Sequence, residues 1–157
     1  VVDIGVDDFA RKLIGKIDAI KIDEPGKSVD KGAVLFTIVQ KEHEISFHAP
    51  VSGQIVSVNH GMIDSPGDLE SSAYGQNFIC SLQADHLDSD LTDLFIGNAA
   101  VEFIRGEIDR LNSFVRNQVK STKDEKVIPA DGQAYIGELA FLNDADFNLI
   151  IRDFFKP

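Results

Sequence analysis

"FTIVQKEHEISFHAPVSG", residues 36–53, is the stretch on which the reading of the chain turns. Residues 36–39 are β-branched or aromatic, Gln40-Lys41-Glu42-His43-Glu44 is a short charged crest, and residues 45–47 form a second β-rich run. Ala49-Pro50 then stops the strand before a Val-Ser-Gly turn, because proline has no N–H to give to a ladder. Two such runs around a polar crest predict a β-hairpin with a solvated tip. Gln40, His43 and Glu44 are expected to present that tip, with Pro50 and Gly53 fixing where the outgoing arm ends.

Working outward, the hairpin is flanked by a weak internal echo. "GKSVDKG" (26–32) and "GMIDSPG" (61–67) each place glycines six apart around a β-branched residue followed by Asp. Glycines at this spacing suit tight turns with positive φ, so the echo predicts a pseudo-twofold all-β unit, a small sandwich or flattened barrel. Upstream, residues 2–6 alternate as a short strand does, and Asp7 is placed to cap a short helix, "DFARKLIG", that Gly15 ends. Phe9, Leu13 and Ile14 would form its buried face. "KIDAIKID" (16–23) reads as strand, and "NFICSL" (77–82) sets Phe78, Cys80 and Leu82 on one face of the last strand of the unit.

The period changes after residue 86. Residues 98–119 place Val101, Ile104, Ile108, Leu111 and Val115 at spacings of three and four, with Phe103 and Phe114 widening the stripe, which predicts an amphipathic helix. "KSTKDEK" (120–126) reads as a solvated linker, and Asp131-Gly132 has turn chemistry. A final helix is expected from Asn143 or Asp144 through Phe155, apolar at Phe147, Ile150, Ile151 and Phe154; such a stripe needs cover, from this chain or from a second copy. The expected organisation is a compact β unit over 1–86, an amphipathic helical extension over 87–119, a linker over 120–131 and a helix-containing tail over 132–157.

Composition narrows the partners. Of 157 residues, 43% are apolar and 26% charged, enough for a real core. The net charge of -11 and a pI near 4.6 oppose binding to phosphate backbones and to anionic membrane surfaces, so neither nucleic acid nor membrane is an expected partner. Apolar runs fall short of the roughly 18–20 residues a bilayer span needs, and no secretory signal opens the sequence. Cys80 is the sole cysteine, which excludes an internal disulfide and suits a reducing cytoplasm.

Five consecutive segments carry a family resemblance. "IGVDDFARKLIGKI" (4–17), "GKSVDKG", "PVSGQIVSVN" (50–59), "MIDSPGDL" (62–69) and "YGQNFICSL" (74–82) follow the order and spacing of the glycine cleavage system H protein, which the chain resembles over residues 1–86. The resemblance implies the lipoyl/biotinyl-carrier fold: mostly β, a flattened pseudo-twofold barrel or barrel-sandwich hybrid, here followed by C-terminal α-helices in an α+β arrangement. It also implies a non-enzyme. H proteins shuttle an aminomethyl group and reducing equivalents among partner enzymes on a lipoyl-lysine, an arm that works by raising local concentration.

The sequence departs from the family at that lysine. The family's crest reads E-S-V-K-A, with the lysine eight residues before the proline of P-V-S-G; counting back from Pro50 lands on Glu42, and Val39 replaces the motif's glutamate. Lys41 stands one place early, and a shift of one residue redirects a side chain on a strand or tight crest. The pattern for biotin fits less well still, since no Met flanks Lys41.

The leading expectation is therefore an H-protein-like docking or assembly module without a cofactor. Its partners would be enzymes of glycine cleavage or of lipoate, one-carbon or sulfur metabolism. Self-association through the C-terminal helices or along the 2–6 edge is open to it. The alternative is a genuine carrier with lipoate on Lys41, moving the aminomethyl group between partner enzymes. A weaker third reading is an enzyme with a site between barrel and tail.

Other constellations are read as structural. His43 and His48 lie near Glu42 and Glu44 but at different heights on the hairpin, so they are expected as surface histidines rather than zinc ligands. His60 and His86 fall in exposed segments. Cys80 is expected to be a buried, inert thiol. The acids of "DHLDSDLTD" (85–93) lack the glycine and terminal glutamate of a calcium loop and suit helix capping. Neither a nucleophile elbow nor a phosphate loop is present.

Overall fold

The computed structural model describes residues 1–67, 77–119, 139 and 142–155, with the side chains of 115–119 left aside. The expected linker, the Asp131-Gly132 turn, the Val115 side chain and residues 68–69 and 74–76 of two family segments lie outside the described residues.

The order of elements is β1 (Val2–Ile4), α1 (Asp8–Ile14), β2 (Ala19–Ile22), β3 (Ser28–Val29), β4 (Val34–Gln40), β5 (His43–His48), β6 (Gly53–Val58), α2 (His60–Asp64), β7 (Cys80–Ala84), α3 (Leu87–Asp90), α4 (Asn98–Val119) and α5 (Asp144–Phe154). A short 3-10 turn, Leu91–Asp93, follows α3. The strands form two antiparallel sheets, β1-β7-β6-β3 and β2-β4-β5, around one apolar core. This is the mostly-β carrier architecture with C-terminal helices that the sequence predicts, in the open-sandwich form.

Local chemistry sets the boundaries. Asp7 caps α1, its Oδ1 accepting the Ala10 N–H at 2.8 Å, and Gly15 ends the helix at φ 71° while its N–H bonds to the Arg11 carbonyl. Phe9, Leu13 and Ile14 are buried as their spacing requires, together with Ala10. Asp8 bridges Arg11 and Lys12, and these cations hold its carboxyl below the ordinary range.

Several expectations need correction. The first strand covers Val2–Ile4 rather than 2–6, and β2 begins at Ala19, although Ile17 is buried. The internal echo is not structural. Gly26 and Gly32 take φ 101° and 82°, the left-handed region that glycine enters freely, but "GMIDSPG" contains α2. There Met62 reaches the core, and the helix ends ahead of Pro66, whose ring disfavours helical geometry in the residue before it. The "DHLDSDLTD" segment itself forms α3 and the 3-10 turn, with Asp88, Asp90 and Asp93 in their first turns as acids at helix starts are expected to be, although neither N-cap residue makes a side-chain cap hydrogen bond.

α4 matches its predicted span, but its stripe is buried at one end only. Leu111 is enclosed and Ile104, Ile108 and Phe114 are half-buried, whereas Val101 and Phe103 face outward. The stripe of α5 is covered within this chain. Phe147 and Ile150 are buried, Phe154 meets Phe9 and Phe114, and Arg110 of α4 lies 4.3 Å over the Phe154 ring. Asn143 caps the helix through the Asp146 N–H at 3.0 Å.

Candidate functional site

The site is the end of the β4–β5 hairpin. Its inner face carries Phe36, Ile38 and Gln40 opposite Phe47, Ile45 and His43, and continues across β2 through Ile20 and Ile22. Phe36 and Phe47 stack at 4.9 Å, and Ile38 and Ile45 are fully enclosed. The outer face carries Lys21, Thr37, Glu44 and Ser46, with an exposed ion pair between Lys21 and Glu44. Such a pair contributes little stability but keeps this face polar.

Gln40 pairs with His43, so the crest proper is two residues, Lys41 and Glu42, and both are exposed. Lys41 has φ 54°, and it is the non-glycine residue with positive φ among those described. A side chain there costs about 1–2 kcal/mol, so the conformation needs support from its surroundings. Asp18, just before β2, supplies it by accepting the Lys41 N–H on Oδ2 at 2.7 Å.

Gln40 was expected at the tip among the presenting residues, but it is 2% exposed and points inward. Its Nε2 donates to the carbonyls of Ile14 at 2.5 Å and Lys16 at 2.8 Å, tying the crest to the end of α1. Its Oε1 is buried without a protein partner. His43 likewise faces inward rather than standing as a surface histidine. Its ring stacks on Phe147 of α5 at 4.0 Å, and Asp144 Oδ1 lies 3.7 Å from its Nε2.

His48 projects from the opposite face of β5, so the two imidazoles do not converge. Among the described residues no group of three or more His, Cys, Asp or Glu side chains is placed to hold a metal. Glu44 stays on the outer face, and Pro50 is half-buried where the outgoing arm ends.

Gly53 is placed by close approach rather than by a turn. A Cβ there would collide with the Gln83 carbonyl oxygen and come within 2.9 Å of the Ala84 Cα on β7. Cys80 is fully buried in β7, and burial, with Asp3 nearby, pushes its thiol up to about 11. It is held as the thiol and is no nucleophile. No helix among the described residues is long and apolar enough to cross a membrane.

Periodicity gave no sign of three features. Asp18 interrupts an apolar run and looks like ordinary strand polarity. The inward turn of Gln40 and the cover that α5 gives to His43 depend on long-range contacts. The one signal for the last was the apolar stripe of residues 147–154, which demanded a surface to bury it.

The family model for the glycine cleavage H-protein matches residues 1–107. A probable glycine cleavage system H protein from Thermococcus kodakarensis is 34% identical over 102 residues, 65% of this chain and 75% of that protein. The glycine cleavage system H protein 2 of Aquifex aeolicus is 32% identical over 109 residues, 69% of this chain and 68% of its own length. Among solved structures, a glycine cleavage system H protein from Mycobacterium marinum is 27% identical, with a TM-score of 0.49 over 52% of this chain and 64% of that one. On the family match and these relatives, the chain belongs to the glycine cleavage H-protein family, whose members are carriers and not enzymes.

Proposed function

We propose that this chain is a non-catalytic H-protein-like docking or assembly module that carries no lipoyl arm. Its partners are enzymes of glycine cleavage or of related lipoate, one-carbon or sulfur chemistry, and it works in the cytoplasm. The observation that supports this is the order of residues on the crest. Glu42 takes the second of the two crest positions, the one to which the family's spacing counted back from Pro50 leads, while Lys41 takes the first with a left-handed backbone.

Adjacent crest residues leave the backbone in different directions, so an amine at 41 departs along another line than one at 42. Acyl transfer needs the amine within about 3–3.5 Å of the activated carbonyl in good alignment, so such a displacement slows the reaction steeply. Asp18 and Glu44 add carboxylates beside this end of the hairpin. A second reading, a lipoyl carrier modified at Lys41, draws on the exposure of Lys41 at the tip.

Intact mass separates the two. After incubation with a lipoate–protein ligase, ATP and lipoate, the protein is expected to keep its unmodified mass; one added lipoyl group mapped to Lys41 establishes the second reading instead. Glu42→Lys is expected to create a substrate, modified at position 42. If that variant folds and stays unmodified, the family's crest geometry has not been retained here.

A further inference from the structure

We propose that residues 94–103 form a docking surface for a partner protein that offers an apolar pocket rimmed with lysine or arginine. Leu94, Phe95, Ile96, Val101 and Phe103 all stand out into solvent within ten residues of sequence, Phe95 at 58% and Ile96 at 68% exposure. Exposed apolar residues scattered singly need no explanation, but a cluster marks an interaction site. Stacking of the Phe95 and Phe103 rings, 4.7 Å apart and 20° from parallel, joins the loop before α4 to the first turns of the helix in one surface.

The surface stands on a fixed base. Lys31 Nζ reaches the Asp93 carboxylate at 3.0 Å and the Asp90 carbonyl at 3.1 Å, and Asp90 Oδ2 accepts the Ser52 N–H at 3.0 Å. These contacts pin α3 and the 3-10 turn to the β-sandwich directly before Leu94. Gly97 then turns the chain into α4 at φ 60°. A surface ordered before binding loses little entropy when a partner arrives.

Charge selects the occupant. Residues 84–104 contain Asp85, Asp88, Asp90, Asp93 and Glu102 and neither lysine nor arginine. The nearby cations Lys31 and Arg105 are paired with Asp93 and Glu102. A second copy would set two acidic collars against each other on chains of net charge -11, whereas a basic rim is attracted to the collar. The proposal takes its biological sense from the docking reading above, but its test is independent of whether Lys41 is lipoylated.

The probes are two synthetic helical peptides with the same Leu/Phe stripe, one with a Lys/Arg polar face and one with a Glu polar face. Each is titrated calorimetrically into the full chain at low and moderate salt. The cationic peptide is expected to bind at least about tenfold more tightly than the anionic one, with affinity falling as salt rises. Phe95→Ser/Phe103→Ser is expected to weaken it by about tenfold or more, as removal of central aromatic anchors does. Asp88→Lys/Glu102→Lys is expected to weaken it severalfold. Both pairs are exposed, so an unchanged melting temperature should show that the fold is kept.

The proposal is overturned if neither peptide binds, if the anionic peptide binds as well, or if the Phe variant binds undiminished, which is attraction to overall charge alone. A wild-type dimer in sedimentation that the Phe variant abolishes also overturns it, assigning the surface to a second copy.

Discussion

Changing Gln40 to glutamate replaces a buried amide donor by a group that, when ionised, has no hydrogen to offer. The Gln40 amide serves two carbonyl acceptors, of Ile14 and Lys16, in a place that is 2% exposed. A carboxylate there would face those oxygens without solvent, so Gln40→Glu is expected to fold as the neutral acid, donating one hydrogen bond where the amide donated two. Burial and the two acceptors raise its folded-state pKa above the unfolded value of about 4.3. A raised pKa contributes stability that is fully present below pH 4.3 and is lost as pH climbs toward the folded value.

If the folded pKa reaches about 7 or higher, the loss at neutral pH is about 3–4 kcal/mol, at 1.36 kcal/mol per unit. The missing second hydrogen bond adds about 1–3 kcal/mol at every pH. Against a total stability of about 5–15 kcal/mol for a domain, this is severe. Urea unfolding of the wild type and of Gln40→Glu, in parallel from about pH 4.5 to 7.5, reads the difference, the wild type cancelling every other carboxylate. A difference that stays constant over that range would refute the reasoning, because the introduced acid would then titrate alike in both states.

Gly53→Ala is expected to lower the unfolding free energy by about 1–3 kcal/mol or more, read as a lower urea midpoint with the slope unchanged, because its Cβ would force β6 away from the backbone at Gln83 and Ala84. The Cys80 thiol is expected to resist a disulfide reagent in the native protein and to react fully in denaturant. With its pKa raised from 9.0 to about 11, its contribution to stability is present below pH 9 and is lost between pH 9 and 11, about 3 kcal/mol in all; Cys80→Val should remove that alkaline loss.

Where local chemistry decides the outcome, the sequence was legible. Asp7 and Gly15 bound α1 because capping is short-range, and Asn143 opens α5 for the same reason. The spacing of Ile104, Ile108 and Leu111 gave α4 its helix, but could not say that Val101 and Phe103 would remain in solvent. Exposure is settled by which neighbours arrive, and periodicity does not name them. The same gap hid the inward turn of Gln40. A glutamine beside a charged crest looks like surface, and only the return of the α1 end beneath the hairpin makes it a buried clamp. Two glycine-spaced heptapeptides gave one turn pair and one helix, since packing of Met62 outweighed the shared spacing.

The cover that α5 and the adjoining Phe155 place under His43 and Phe47 also bears on the order in which the protein assembles. The hairpin forms from neighbours in sequence and so can appear early, but the helix that seals its inner face lies roughly a hundred residues later. Contacts across so long a separation form late, because the intervening loop must be closed before any packing repays it. A chain still being synthesised would therefore present a formed hairpin with an open greasy flank until α5 had emerged. During that interval the flank is a target for chaperones and for mispairing with other nascent chains.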